Sequence, residues 1–410
     1  MIEIEVNEEN KWRLNTPGAP GWQQSAHAGA ANKYMMISAD THANEPGNLW
    51  AERIDAKYKD RLPKMWVDDK GIQWRKMEAS ETPDRLVLAR LHGEDLVRSR
   101  AGATATESGP SVDQRLKDQE MDGIDGEVLF PGKGLGMWYT FDPVFAHAQC
   151  EVYNTWAWET FGAHVERISP AAALATGDLP ASIKEVERCL KLGFRHFTLP
   201  CKPLFGPPKT NELNYNKVEF DPLWAMFQEA DVPVTFHVST GKDPRTTRGL
   251  GGAIVNYVVH SLSPTLEPLV NICASGVIER FPRLRFGSIE AGIGWLPWTL
   301  DAMDEAYLKH HFWVKPKLKA LPSDYFRANG FASFGEDPSG LALMEKYNLQ
   351  ENCMWANDYP HHEGTWPHSA QAIERDMGGI TEPTRRKVLG ENAARIFKFK
   401  EVAQRYKLAI

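Results

Sequence analysis

Cysteine is scarce in this chain and follows no pattern. Its five thiols, Cys150, Cys189, Cys201, Cys273 and Cys353, are odd in number and show no CxxC spacing. That argues against a disulfide framework and against metal binding by sulfur, and it fits reduced thiols in a cytoplasmic protein. Long apolar runs are missing as well, and none approaches the roughly 20 residues needed to span a bilayer, so no membrane partner is expected. The opening Met1-Ile2-Glu3-Ile4-Glu5 is acidic where a secretory signal is basic, which again points to the cytoplasm. There is no basic surplus: 47 Lys and Arg against 54 Asp and Glu leave a formal net charge of -7, which argues against nucleic acid. No internal repeat or low-complexity tract suggests a solenoid or a disordered tail. The run Gly132-Lys133-Gly134-Leu135-Gly136 lacks the glycine spacing and downstream acid of a dinucleotide fingerprint, and is read as a substrate-side loop.

What remains is an ordinary soluble composition, 42% hydrophobic and 25% charged, in 410 residues. A barrel of strands and helices with insertions reaches that length as one unit. From Tyr34 onward, short β-rich runs alternate with helical patterns, the signature of parallel βαβ units. The expected strands are Tyr34–Asp40, Gly126–Phe130, Ala171–Thr176, Arg195–Leu199, Val232–Val238, Leu284–Ile289, Gly330–Phe334 and Cys353–Ala356. Expected helices include Ser182–Leu192, Pro222–Ala230, Leu266–Phe281 and Gly340–Tyr347. Eight such strands predict an α/β fold of the (β/α)8 TIM-barrel type over residues 34–400. Residues 1–33, rich in Pro and Gly, form an N-terminal arm; 43–119 are an insertion after the first strand, placed to cap the barrel mouth; 401–410 are a C-terminal tail. The arm lacks the periodicity to bury itself, so a homodimer is expected, with the arm against a neighbour.

Catalytic groups of such barrels collect at the C-terminal ends of the strands. After the first strand comes Asp40-Thr41-His42-Ala43, whose Asp-x-His spacing points a carboxylate and an imidazole the same way. Such a pair can hold one divalent cation; alternatively Asp40 caps a turn and His42 lies on the surface. His237 ends the fifth strand. Glu290 follows the sixth, with Gly292 and Gly294 letting the backbone approach a ligand, and burying that glutamate without a partner would be costly. The eighth runs into Asn357-Asp358-Tyr359-Pro360-His361-His362-Glu363, dense in ligands and acid–base groups. His260 stands next to an apolar run, either as a ligand or as a packed helix histidine. Arg245 and Arg248, in a glycine-rich loop after His237, can meet a substrate carboxylate or phosphate, or simply be solvated.

Taken together, the opening Asp40-Thr41-His42-Ala43-Asn44-Glu45-Pro46, the segment Phe281-Pro282-Arg283-Leu284-Arg285-Phe286 leading to Glu290-Ala291-Gly292, Asn357-Asp358-Tyr359-Pro360-His361 and the closing Glu391-Asn392-Ala393-Ala394-Arg395-Ile396-Phe397 carry a family resemblance. They resemble the amidohydrolase-related branch of the amidohydrolase superfamily, which also contains aminocarboxymuconate-semialdehyde decarboxylase. The resemblance covers about residues 34 to 400. It implies that Asp40, His42, His237 and Asp358 are metal ligands and that the metal activates a water.

Two departures stand out. Asp-x-His replaces the more familiar His-x-His or Glu-x-His, which favours a harder or redox-active ion, so iron and manganese stand beside zinc. At the sixth strand, where many decarboxylase-like relatives carry a histidine, this chain has Glu290. That residue is then a base or a ligand, and as a ligand it allows a second ion completed by His260. His361 is the expected acid–base group, with Glu45, His362 and Glu363 able to orient ligands.

The expected activity is therefore a metal-dependent hydrolase with one or two divalent ions (Fe, Mn or Zn). It would act on a small carbonyl substrate, an amide, ester, thioester or C–C bond, by a metal-activated water. A dinuclear iron or manganese–iron oxygenase and a nonoxidative decarboxylase are the alternatives.

Overall fold

The computed structural model describes residues 34–80, 82–85, 111–204, 213–240, 247, 249–310, 312–361 and 364–410. Eight barrel strands follow the expected order. They are Ile37–His42, Gly126–Phe130, a third strand in two pieces (Ile168–Pro170 and Ala172–Ala173), Phe197–Leu199, Val234–His237, Phe286–Ile289, Gly330–Phe334 and Cys353–Trp355. Each pairs in parallel with the next. A parallel bridge between Thr41 and Tyr359 closes the ring, with His42 N–H donating to Tyr359 O at 2.7 Å. The expected (β/α)8 barrel is the fold observed.

The strands are buried throughout because helices cover the outside and side chains fill the inside. Ile37, Ala39, Val128, Phe130, Ala171, Ile289, Phe331 and Met354 pack in one cluster with Ala393, Ile396 and Phe397. The closing helix Asn392–Phe397 thus plugs the barrel end opposite the site. His196 sits in that interior against Phe130 and Phe397, and burial depresses its pKa to about 3, as befits a neutral core histidine.

The span 43–119 contains a small antiparallel sheet of Lys64–Val67, Gln73–Lys76 and Asp84–Arg85. Its end belongs to a helix, Val112–Met121, that packs on the barrel and buries Arg115, Asp118 and Gln119. Among the described residues no helix is long and apolar enough to cross a membrane. The N-terminal arm lies outside the described residues.

Candidate metal centre

Alternation alone does not deliver Asp40 and His42 to the barrel axis. Ile37 and Ala39 already point inward, and a strict period of two would turn Asp40 and His42 away. The register between the first and second strands slips between Ser38 and Thr41, and this irregularity re-aims the following side chains. Glu290 and Asp358 are brought in differently, through left-handed backbone at φ 64° and 54°. Non-glycine residues in that region cost of order 1–3 kcal/mol and cluster at functional sites.

The result is a tight group. His237 Nε2 lies 3.2 Å from Asp40 Oδ1 and 3.4 Å from Glu290 Oε2. His42 Nε2 lies 3.7 Å from both of those carboxylates and 3.4 Å from Asp358 Oδ1. His361 Nδ1 is 3.2 Å from Asp358 Oδ1, and its ring stacks on His42 at 3.8 Å between centroids. Ligand atoms of Asp40, His42, His237 and Glu290, and of His42, Glu290, Asp358 and His361, lie within 4.8 Å of one another. That spread matches atoms arranged about a centre with bonds of roughly 2.0–2.2 Å.

The imidazoles are oriented from behind. His42 Nδ1 contacts Pro131 O and His237 Nδ1 contacts Val238 O, each at 2.8 Å. A carbonyl only accepts, so both Nδ1 atoms carry hydrogen and the Nε2 atoms face the carboxylates. Imidazole nitrogens gathered with anionic oxygens call for a cation between them, a proton or a metal ion. His42 Nε2 and Asp358 Oδ1 are buried without a hydrogen-bond partner, as expected of atoms shaped to hold an ion. Three carboxylates and two imidazoles fit a divalent ion of intermediate hardness.

Protonation shifts describe the same field. Burial by itself disfavours charge on His42, yet Asp358, Glu290 and Asp40 outweigh it and raise its pKa well above the usual histidine value. Burial, then Asp358, raises Glu290. Asp358 is held far below the usual range because His361 and His42 overcome its burial. For His361, burial and His42 push down, but Asp358 and Glu290 leave it raised. A raised imidazole contributes stability that is complete below its unfolded value of about 6.5 and is lost as pH climbs through the folded one. Metal-free protein should therefore melt at lower temperature as pH rises above neutrality. Ion binding, which must expel the proton, should strengthen over the same interval. Thermal scans with and without metal across pH check this, and an apo melting temperature that does not fall with rising pH would contradict it.

Other expected residues fall elsewhere. His260 is buried in the helical segment Val258–Leu262, near Thr247, and belongs to neither of the two candidate ligand groups found among the described residues. Gly292 and Gly294 bring the backbone onto Asp337: Ile293 and Gly294 N–H donate to Asp337 Oδ2 at 2.6 and 2.7 Å, and an added Cβ would collide with that carboxylate at Gly292 and with Ser339 Oγ at Gly294. Glu45 is fully buried and accepts from the N–H groups of Gly132, Lys133 and Gly134, so that glycine run anchors the loop after the first strand. Arg245, Arg248, His362 and Glu363 lie outside the described residues. Sequence reading missed Arg115, Gln119 and Asp122, whose only signal was a helix with polar groups at core spacing.

Beside the centre lies a cavity of about 340 Å³ lined by Tyr257, Leu262, Ala291, Phe334 and Ser333 together with Asp40, Glu290 and Asp358. Among the described residues lining it there is no lysine or arginine.

A closed barrel carrying a buried carboxylate–imidazole cluster at the C-terminal ends of its strands is the build of a metal-dependent barrel enzyme. The chain matches the amidohydrolase family model over residues 115–399, and it belongs to that family. A gamma-resorcylate decarboxylase from a Polaromonas species is 24% identical over 252 residues, 55% of this chain and 69% of that protein. Among solved structures, an amidohydrolase from Mycobacterium avium subsp. paratuberculosis superposes with TM-score 0.71 at 20% identity, covering 90% of this chain and all of the other. A Polaromonas dihydroxybenzoic acid decarboxylase, solved with manganese and 2-nitroresorcinol, has TM-score 0.60 at 19% identity, covering 89% and 97%.

These findings correct the expected activity. The gamma-resorcylate relative and the dihydroxybenzoic acid neighbour are both decarboxylases, and neither is a hydrolase. The sequence reading erred because the same ion and ligands serve either to activate water or to chelate a carboxylate, and because Glu290 was counted against decarboxylation.

Proposed function

We propose that the protein is a nonoxidative decarboxylase of small hydroxylated aromatic acids, dependent on one divalent ion held by Asp40, His42, His237, Glu290 and Asp358. The observation that carries it is the convergence of these five side chains beside a partly apolar cavity, in a chain related to a gamma-resorcylate decarboxylase. Manganese, bound in a neighbour of this fold, is the ion of choice. When bound, the ion would accept the substrate carboxylate and an adjacent oxygen and draw electron density from the ring.

The chain's residues supply the rest. Tyr257, Leu262 and Phe334 give the aromatic ring an apolar wall, while the carboxylates of the centre repel an anion and no lysine or arginine among the described lining residues meets it. Substrate binding thus depends on the ion's charge. His361, with its proton favoured by Asp358 and Glu290, would hold and deliver a proton to the carbon that loses the carboxylate. The C–C bond breaks, its electron pair remains on the ring carbon, the proton joins that carbon and CO2 leaves. No oxidant is needed.

The test is metal-free protein reloaded with Mn2+ and assayed on gamma-resorcylate and related hydroxybenzoates for CO2 and phenol in equal amounts. Failure to bind Mn2+, or turnover indifferent to it, refutes the reading. Glu290→Gln keeps the shape and removes the charge. It should weaken Mn2+ binding about tenfold or more, in the range seen for lost orienting groups. Full metal affinity with turnover alone lost would make Glu290 a base instead.

A further inference from the structure

Helix Val112–Met121 approaches the centre from behind and buries its polar side. Arg115, Asp118 and Gln119, with Asp122 just beyond, occupy the spacing a core-facing helix normally gives to apolar residues. Arg115 is bidentate on the buried Glu127, with Nε at 2.5 Å and Nη2 at 3.0 Å, and its Nη1 donates to His42 O at 2.7 Å. Gln119 Nε2 donates to the same Glu127 carboxylate. A carboxylate can only accept here, so the amide orientation is settled and Gln119 Oε1 faces the other way. It accepts from Asn357 Nδ2 at 3.0 Å. Asn357 is itself fully buried: its Oδ1 accepts from Ser38 Oγ at 2.9 Å and Tyr359 N at 3.3 Å, and its N–H donates to Ser38 Oγ at 3.0 Å.

We propose that Gln119 is a positioning residue for the metal centre. One amide ties the Arg115–Glu127 pair, which grips the backbone of His42, to the asparagine that precedes Asp358. This link adds to the direct bonds of Ser38 with Asn357 and of His42 N–H with Tyr359 O in holding ligands from the first and eighth strands in register. Asp358 needs such support, because its left-handed backbone persists only where the surroundings over-determine it. The role requires glutamine: a donor at one end, an acceptor at the other, and the length to span both. Glutamate would set a second carboxylate against Glu127, and asparagine is too short to reach both partners. Gln119 touches none of the ligand side chains, so its effect must pass through His42 O and Asn357.

This inference rests on the proposed metal centre, and the experiment separates the two. Full-length metal-free protein and its Gln119→Met variant are titrated with MnCl2 by calorimetry, with the Mn2+ resonance spectrum recorded on the loaded forms. Gln119→Met should bind Mn2+ several-fold and up to about 10-fold more weakly, at the lower end of what losing a group bonded directly to a ligand costs, and give a broadened spectrum. Asn154→Leu is the control. That amide is just as buried and tied to Ala173 and Glu185, away from the centre, so its loss should lower the melting temperature and leave Mn2+ affinity unchanged. Should Gln119→Met fail to fold, Gln119→Asn is measured in its place with the same expectation. A folded Gln119 variant with native affinity and spectrum overturns the positioning role. A native chain that binds no Mn2+ overturns the metal centre itself.

Discussion

Replacing His237 with alanine should strip metal and turnover together. His237 is fully buried at the end of the fifth strand, its Nδ1–H is committed to Val238 O, and its Nε2 stands nearest to both Asp40 and Glu290. Removing it deletes a neutral nitrogen from a site otherwise crowded with carboxylates. Loss of an outer-shell partner already costs 10- to 100-fold, so loss of the ligand itself should weaken Mn2+ binding by at least about a hundredfold. Activity should fall with occupancy and return in part when Mn2+ is supplied in large excess. Metal analysis after dialysis, paired with a titration of activity against Mn2+, decides it. If the variant retained a full complement of tightly bound metal, His237 would not be a ligand.

Breaking the buried pair between Arg115 and Glu127 should cost the most stability of any single surface-remote change outside the apolar core. Both side chains are almost completely buried, and the guanidinium also serves His42 O and lies 4.9 Å over the Tyr359 ring. Glu127→Gln leaves a cation in the interior without its counter-charge, and Arg115→Met leaves an anion. Removing one partner of such a pair typically costs about 3–5 kcal/mol, because the survivor keeps its desolvation penalty and loses its compensation. Denaturant unfolding of the metal-free variants measures this. The double replacement should cost clearly less than the sum of the singles, since each removes the same interaction. Additive losses would show that the pair is not the source of the effect.

Much of this molecule was legible in the residues themselves. All eight barrel strands were found to within a few positions because parallel strands covered on both faces read as short apolar runs. The convergence of Asp40, His42, His237, Glu290 and Asp358 followed from a rule of the fold, that polar groups ending barrel strands share one face. Where the sequence falls short, side-chain aim is the reason. His260 lies in a helix that the chain order places beside the barrel, but the sequence does not say which way its ring faces. Gly292 and Gly294 signalled a close approach, and the approaching group turned out to be Asp337. The hydrolase expectation failed because ligand identity constrains the ion more than the substrate.

Composition, periodicity and strand-end chemistry were enough to determine the barrel, its strand order and the candidate ligand types. They act locally, within a few residues, and so survive in a linear text. Tertiary structure alone decided the aim of those ligands. The slip of register beyond Ser38 turns Asp40 and His42 inward, and left-handed backbone swings Glu290 and Asp358 into place. It also decided the network of Arg115, Gln119, Glu127 and Asn357, whose members lie up to 242 positions apart in the chain, the separation of Arg115 from Asn357. Such bonds depend on which surfaces meet once the core has packed, and a polar stripe on a helix carries no mark of the partner that will satisfy it.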